Sequence, residues 1–138
     1  MDKALNYMAL ARKAGRIELG EEPVGAAARA QKARLVIVAS DASDHSWRRA
    51  RSYVANTEQL CIRVGFSKDQ LGQAIGRTDL AMAAFTDPAL AIAFLKALPP
   101  EDASVAAALE AMQTKGRKAT EKQGFRSRKQ GRSRPAAK

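Results

Sequence analysis

The sequence contains one cysteine, one histidine and one tryptophan in 138 residues, and only 5% of its residues are aromatic. A single cysteine excludes an internal disulfide framework, and one cysteine with one histidine excludes a Cys/His zinc site. No stretch approaches the roughly 18 apolar residues that a membrane-spanning helix needs. The N-terminus lacks the apolar segment and cleavage site of a secretory signal. We therefore expect a cytoplasmic protein with no metal site and no membrane association.

Nucleotide-binding and catalytic motifs are also missing. The spacing Gly20-x4-Gly25 is similar to a phosphate-binding loop, but alanines follow Gly25 where that motif needs Lys and Ser or Thr. Asp44, His45 and Ser46 are adjacent in a predicted helix, so their side chains point apart and do not converge as a catalytic triad does. We interpret them as an exposed helix start. We expect no catalytic residue, no cofactor and no small-molecule substrate.

Two further candidate residues have ordinary structural interpretations. Cys61 lies within an apolar strand pattern, which favours a buried, unreactive thiol. Asp41 follows the most apolar strand, where α/β proteins often place ligand groups. Helix capping explains an aspartate at this position as well, and we favour capping.

The chain contains short apolar runs that alternate with amphipathic segments. The run at 34–40 has no polar alternation, which is typical of a central strand buried on both faces. We expect Trp47 and Val54 on the buried side of their helix. The alternation predicts a three-layer α/β/α sandwich with a small mixed central sheet. The predicted strands are 16–19, 34–40, 60–64 and 80–85, and the predicted helices are 2–14, about 20–33, 41–57, 67–76 and 86–98.

Charge is distributed unevenly along the chain. Residues 115–138 contain ten Lys or Arg and one acidic residue, a net charge of +9, whereas the first 114 residues carry a net charge of +1. We predict a folded α/β/α sandwich domain at 1–98, a linker with a possible short helix at 99–114, and a disordered basic tail at 115–138.

The basic tail mixes Arg, Lys and Gly with one aromatic residue, Phe125, a composition that suits contacts with nucleic-acid phosphates. An acidic protein or a membrane surface offers less to arginine, whose planar side chain binds phosphate in a bidentate manner. We expect nucleic acid as the partner. The predicted phosphate contacts of the tail are Arg117, Lys118, Arg126, Arg128, Lys129, Arg132 and Arg134.

The chain contains, in this order, the segments LARKAGRIELGEE, ARLVIVASDAS, SKDQLGQAIG and MAAFTD. In order and spacing they resemble the kink-turn-binding ribosomal proteins of the L7Ae type, and above all their YlxQ-like bacterial members. The resemblance covers about residues 3–98. It implies an α/β/α sandwich that binds RNA without catalysis. We expect a structured RNA, with ribosomal RNA as one candidate.

The resemblance also implies an RNA-binding surface. That surface is formed by the turn and helix start after the first strand together with the loop before the last strand. Basic residues beside the helix start would meet backbone phosphates. The residues carried over are Gly20, Glu21 and Glu22 of the helix start, Arg77, Thr78 and Asp79 of the loop, and Arg12, Lys13 and Arg16 beside them.

Two acidic residues at an RNA-binding helix start allow two interpretations. A carboxylate only accepts hydrogen bonds, and an unpaired guanine edge displays N–H donors, so Glu21 and Glu22 could recognise a base while basic neighbours hold phosphates. Alternatively, the two acids merely complement the positive end of the helix dipole. The sequence leaves both interpretations open.

The helix start departs from the pattern of the kink-turn binders. Those proteins have Gly-x-Asn-Glu followed by a lysine one turn later. This chain has Gly20-Glu21-Glu22-Pro23, with Ala26 where the lysine would fall. We expect altered or weak RNA specificity, with the basic tail adding affinity.

Two other hypotheses remain open. In the first, the sandwich binds a protein partner and only the tail contacts nucleic acid, without regard to sequence. In the second, the chain is a small α/β enzyme, although it lacks an evident nucleophile, acid–base pair or metal cluster.

Overall fold

The computed structural model describes residues 2–114 and contains six helices and four strands in that range. Each predicted strand and helix is present. The elements are α1 (Lys3–Lys13), β1 (Ile17–Leu19), α2 (Glu21–Arg29), β2 (Leu35–Val38), α3 (Asp44–Val54), β3 (Leu60–Arg63), α4 (Lys68–Ala74), β4 (Met82–Phe85) and α5 (Pro88–Lys96), followed by α6 at 103–114.

The four strands form one mixed sheet in the order β1-β4-β2-β3. β2 pairs in parallel with β3 and antiparallel with β4, and β4 pairs antiparallel with β1. All residues of β2 and β4 are buried, as the unbroken apolar pattern of β2 predicts for a central strand. Helices α2 and α3 pack together on the sheet, and α1, α4 and α5 form the other layer. The predicted three-layer α/β/α sandwich is confirmed.

Side chains just before the helices fix where several of them begin. Asp2 accepts a hydrogen bond from the backbone of α1, and Ser43 does the same at α3. Ser67 and Gln70 form the predicted capping box of α4, in which each side chain binds the backbone of the other residue. Asp87 caps α5, with a proline at the first helical position.

All five helices predicted between residues 2 and 98 are shorter than the pattern predicts, and the difference is largest for α2 and α3. α2 ends at Arg29, because Gln31 adopts a left-handed backbone with φ of 60° and turns the chain towards β2. α3 begins at Asp44, because Ser43 provides its cap. The expected burial of Trp47 and Val54 is only partly met. Both are half-buried, since α3 lies towards the edge strand β3, and Ala50 is the buried residue of this helix.

The core consists mainly of small and aliphatic side chains. Thirteen of its 33 buried hydrophobic residues are alanines, and no buried polar residue lies among the residues that the structure describes. Phe85 and Phe94 pack with their ring centroids 5.0 Å apart. Val105, Ala108 and Met112 of α6 are buried with the rest of the core. Within residues 2–114, no helix has the length and apolar character needed to cross a membrane.

Candidate nucleic-acid interface

Three helices begin at the same end of the sheet. Val38, the last residue of β2, lies between Met82 at the start of β4 and Arg63 at the end of β3. Leu19, the last residue of β1, pairs with Ala83 at this same end. The chain passes from β1, β2 and β3 into α2, α3 and α4 here. We call it the helix-start end; free N–H groups and positive helix dipoles make such an end suitable for anions.

The start of α2 is shaped by Gly20. Its φ of 97° is a left-handed conformation that favours glycine, and its N–H donates a 3.0 Å hydrogen bond to the carbonyl of Met82. Among the described residues, no side chain caps this helix. The first N–H groups of α2 therefore lie at the helix-start end without a side-chain acceptor.

The 77–79 loop runs back along α4 after that helix ends. The N–H of Arg77 donates to the carbonyl of Gly72 at 2.8 Å, and the N–H of Leu80 donates to the carbonyl of Lys68 at 3.0 Å. A Cβ atom on Gly20 would lie 3.9 Å from Nη1 of Arg77. The structure thus brings the predicted helix start and the predicted loop side by side. Thr78 and Asp79 are exposed in this loop.

The three predicted phosphate-binding residues near α1 occupy different places. Nη1 of Arg12 donates to the carbonyl of Ile75, directly before the 77–79 loop. Lys13 is exposed in the last turn of α1. The carbonyl of Arg16 accepts the N–H of Thr86, which places Arg16 at the opposite end of β1 from Gly20, about 13 Å along the strand. We expected Arg16 beside the helix start, but its backbone lies at the other end of β1.

The two glutamates at the start of α2 have different surroundings. Oε2 of Glu21 lies 2.7 Å from Nη2 of Arg49 and accepts a 3.4 Å hydrogen bond from the hydroxyl of Tyr53. Arg49 also donates to this hydroxyl at 3.3 Å. The hydrogen bond to Tyr53 and the charge of Glu21 raise the pKa of Arg49, so its guanidinium group stays protonated. Glu22 is exposed and forms no ion pair or hydrogen bond within residues 2–114.

Gly25 lets Tyr53 reach Glu21. A Cβ atom at Gly25 would lie 3.0 Å from Cζ of Tyr53, so α2 and α3 approach each other closely at this point. The ring of Tyr53 therefore lies over α2, and its hydroxyl points to the first turn of the same helix. The sequence analysis missed Arg49 and Tyr53. Their spacing of four residues places them on one face of α3, but nothing in the sequence connects that face to Glu21.

The other candidate residues are structural. Oδ1 of Asp41 accepts the N–H of Lys68 at 2.8 Å, so Asp41 caps α4 rather than the helix that follows it in the chain. Burial raises the pKa of the Cys61 thiol to about 12, which keeps it protonated. His45 is exposed in the first turn of α3. In the part of the chain that the structure describes, no group of His, Cys, Asp or Glu is arranged to hold a metal ion.

The predicted tail contacts, from Arg117 to Arg134, lie outside the described residues. For the folded part, the structure places Arg77 beside Gly20, and it joins Arg12 to Ile75, two residues before Arg77. Glu21 instead contacts Arg49 of α3, and Arg16 lies at the end of β1 opposite to Gly20.

Comparison with known proteins agrees with this architecture. RNA-binding protein YlxQ of Enterococcus faecium is 36% identical to this chain over 75 residues, which cover 54% of this chain and 72% of that protein. A solved structure of a protein of unknown function from Bacillus halodurans has a TM-score of 0.65 and 26% identity, covering 70% of this chain and 97% of that one.

A second solved structure shows the same fold at lower identity. It is the 15.5 kD RNA-binding protein of Giardia lamblia, with a TM-score of 0.58 and 21% identity, covering 80% of this chain and 87% of that one. Residues 2–93 match the Ribosomal protein L7Ae/L30e/S12e/Gadd45 family. The chain therefore belongs to the Ribosomal protein L7Ae/L30e/S12e/Gadd45 family.

Proposed function

We propose that this chain is a non-enzymatic, cytoplasmic RNA-binding protein that recognises structured RNA, either kink-turn-like or ribosomal. The observation that carries the proposal is the juxtaposition of the α2 start with the 77–79 loop, where Gly20 lies against Arg77. Membership of the family and similarity to a bacterial RNA-binding protein support the same function.

The two glutamates have separate roles in this proposal. Glu21 is held by Arg49 and Tyr53 and shapes the first turn of α2. Glu22 is exposed, and its carboxylate can accept hydrogen bonds from N–H donors on a base edge. Arg12 and Arg77 would bind the neighbouring phosphates. Phosphate contacts position the RNA, and the contact with Glu22 provides the preference among RNAs.

The helix start also limits how closely the protein follows the kink-turn binders. Glu22 offers only acceptors where those proteins have the paired donor and acceptor of asparagine, and Pro23 replaces their glutamate. Ala26 is exposed where they have a lysine. We therefore propose weaker or altered kink-turn recognition, with the basic segment 115–138 supplying affinity through additional phosphate contacts.

The decisive experiment measures binding of the full chain to a labelled kink-turn RNA and to a plain RNA duplex at several salt concentrations. We expect tighter binding to the folded RNA. Deleting residues 115–138 should weaken both complexes and reduce the slope of log K against log salt by about 0.7–0.9 for each phosphate that the segment neutralises. The preference for the folded RNA should survive this deletion.

A different result would favour the alternative function. If the protein without residues 115–138 is folded by circular dichroism but binds neither RNA, the sandwich binds something else. The domain would then be a protein-interaction module, and the basic segment alone would bind nucleic acid. The missing asparagine and lysine of the helix start are the observations that keep this alternative open.

A further inference from the structure

Two arginines lie over the ring of Trp47, on the side of α3 that faces the edge strand. The guanidinium carbon of Arg63 is 4.9 Å from the centre of the indole ring, and that of Arg51 is 5.7 Å from it. Both distances lie within the range of cation–π contacts. We call Trp47, Arg51 and Arg63 the tryptophan–arginine cluster.

The cluster lies near the helix-start end but apart from the residues around Gly20. Arg63 is the last residue of β3 and pairs with Val38 at that end of the sheet, and Trp47 is in the first turns of α3. Arg49 contacts Glu21 of α2, whereas Arg51 and Trp47 face β3. The cluster therefore lies across α3 from Glu21 and Arg49, at the edge of the sheet.

Part of the guanidinium group of Arg63 has no hydrogen-bond acceptor among the described residues. Nε and Nη2 of Arg63 are buried and have no hydrogen-bond partner. Buried guanidinium donors without an acceptor are unfavourable, and two cations on one indole ring repel each other. A phosphate cannot reach the two buried donors, but a phosphate bound to Arg51 and to the accessible part of Arg63 would reduce the repulsion. Since Arg51 is exposed and Arg63 is half-buried, part of the cluster is open to a ligand.

We propose that the tryptophan–arginine cluster is a second RNA contact, in which Arg51 and Arg63 bind phosphates of the strand and Trp47 holds their guanidinium groups in place. This inference rests on the proposed function, because it extends the interface from the start of α2 to the edge strand. Arginine presents several N–H donors in a planar fork that matches a phosphate group. The RNA would then cross the helix-start end along α3.

The first test uses the fluorescence of Trp47, the only tryptophan of the chain. The full-length protein is titrated with the labelled kink-turn RNA and, separately, with the plain duplex, and quenching of tryptophan by iodide is measured with and without RNA. We expect bound RNA to change the emission and to protect Trp47 from iodide. Unchanged emission and unchanged quenching at saturating RNA would overturn the proposal.

The second test compares two charge-matched double variants of the full chain. R51Q/R63M removes the two cluster charges, and K32Q/R34M removes two charges at the other end of the sheet, where the exposed Lys32 and Arg34 precede β2. R51Q/R63M should reduce the slope of log K against log salt by about 0.7–0.9 for each phosphate that the two arginines neutralise. K32Q/R34M should leave the slope unchanged, and equal slopes for the two variants would overturn the proposal.

Folding and the parent proposal are checked separately. Because two donors of Arg63 are buried without acceptors, R63M should have a thermal midpoint at least as high as that of the unaltered protein, so weaker binding cannot be attributed to unfolding. If the unaltered protein binds the kink-turn and the duplex equally, the proposed function fails. The salt dependence of binding to the duplex still tests whether the cluster contacts RNA, because phosphate contacts do not depend on sequence.

Discussion

A Cβ atom on Gly72 would lie 2.6 Å from Cα of Asp79, closer than real Cβ atoms approach any backbone atom. The middle of α4 and the 77–79 loop therefore touch backbone to backbone, and the carbonyl of Gly72 also accepts the N–H of Arg77. The position of the proposed RNA-binding loop depends on the absence of a side chain in a neighbouring helix.

Gly72→Ala should displace the 77–79 loop. The methyl group has no room, because its neighbours are backbone atoms that cannot rotate away. We expect the free energy of unfolding to fall by about 1–3 kcal/mol, as in other overpacked sites, and the preference for folded RNA to fall with it. Gly65→Ala is the matched control, since a Cβ there meets no atom within 4 Å. Equal stability and RNA preference for both variants, by urea denaturation and binding titration, would contradict this prediction.

Glu22→Gln distinguishes the two interpretations of the helix-start acids. If Glu22 accepts hydrogen bonds from a base, the substitution should lower the preference for kink-turn over duplex RNA about tenfold, the value of one charge-assisted hydrogen bond, with little change in stability. If Glu22 only complements the helix dipole, the unfolding free energy should fall by about 0.3–1 kcal/mol and the preference should remain.

Two controls complete the Glu22 experiment. Glu18→Gln removes the same charge from an exposed position on β1 and should change neither quantity. Glu21→Gln weakens the contact with Arg49 and Tyr53, so it should affect RNA preference less than Glu22→Gln does. A larger effect at Glu21 would reverse the roles that we propose.

The triple variant E22N/P23E/A26K should gain kink-turn affinity. It restores the asparagine, glutamate and lysine of the kink-turn binders at exposed positions of the first turns of α2. Charge-assisted hydrogen bonds of this kind correspond to about a tenfold to hundredfold gain in affinity. Ala30→Lys adds one positive charge at the other end of α2 and is the control for charge alone. Equal gains for kink-turn and duplex RNA would show that the variant added charge without specificity.

Cys61 should be unreactive in the folded protein. Burial raises the pKa of its thiol from 9.0 to about 12, so near pH 8 almost no thiolate is present. Alkylation by iodoacetamide, followed by mass spectrometry, should be more than about a hundredfold slower in the folded than in the denatured protein. Comparable rates in the two states would contradict the burial of this thiol.

The same shift sets a pH dependence of stability. The folded state holds the thiol proton more tightly than the unfolded state does. The contribution of Cys61 is therefore fully present below pH 9.0 and is lost as the pH rises towards about 12. Cys61→Ala should lack this part of the alkaline loss, which urea denaturation at several pH values would measure.

Local patterns predicted the elements because their causes are local. The unbroken apolar run of β2, the capping box of Ser67 and Gln70, and the proline after Asp87 each act within a few residues. The resemblance to a known family identified the helix start and the 77–79 loop as the expected RNA-binding surface. Their contact in the structure follows from the strand order, in which β4 lies between β1 and β2.

Contacts between distant segments could not be predicted in the same way. The pairing of Glu21 with Arg49 depends on how closely α2 and α3 approach, and that distance is set by Gly25 against Tyr53. Arg16 is close to Gly20 in the sequence, but an extended strand separates them. Trp47 has the apolar character of a core residue, yet α3 lies towards the edge of a narrow sheet and leaves it half-buried.

The alanine-rich core has a thermodynamic consequence. Within residues 2–114, thirteen of the 33 buried hydrophobic residues carry only a methyl group. Unfolding therefore exposes less apolar surface per residue than it does in a core of larger side chains. The heat capacity change of unfolding should therefore lie at or below the low end of the usual range of about 12–15 cal/mol/K per residue. A small heat capacity change gives a broad, shallow dependence of stability on temperature, which differential scanning calorimetry of the full chain would record.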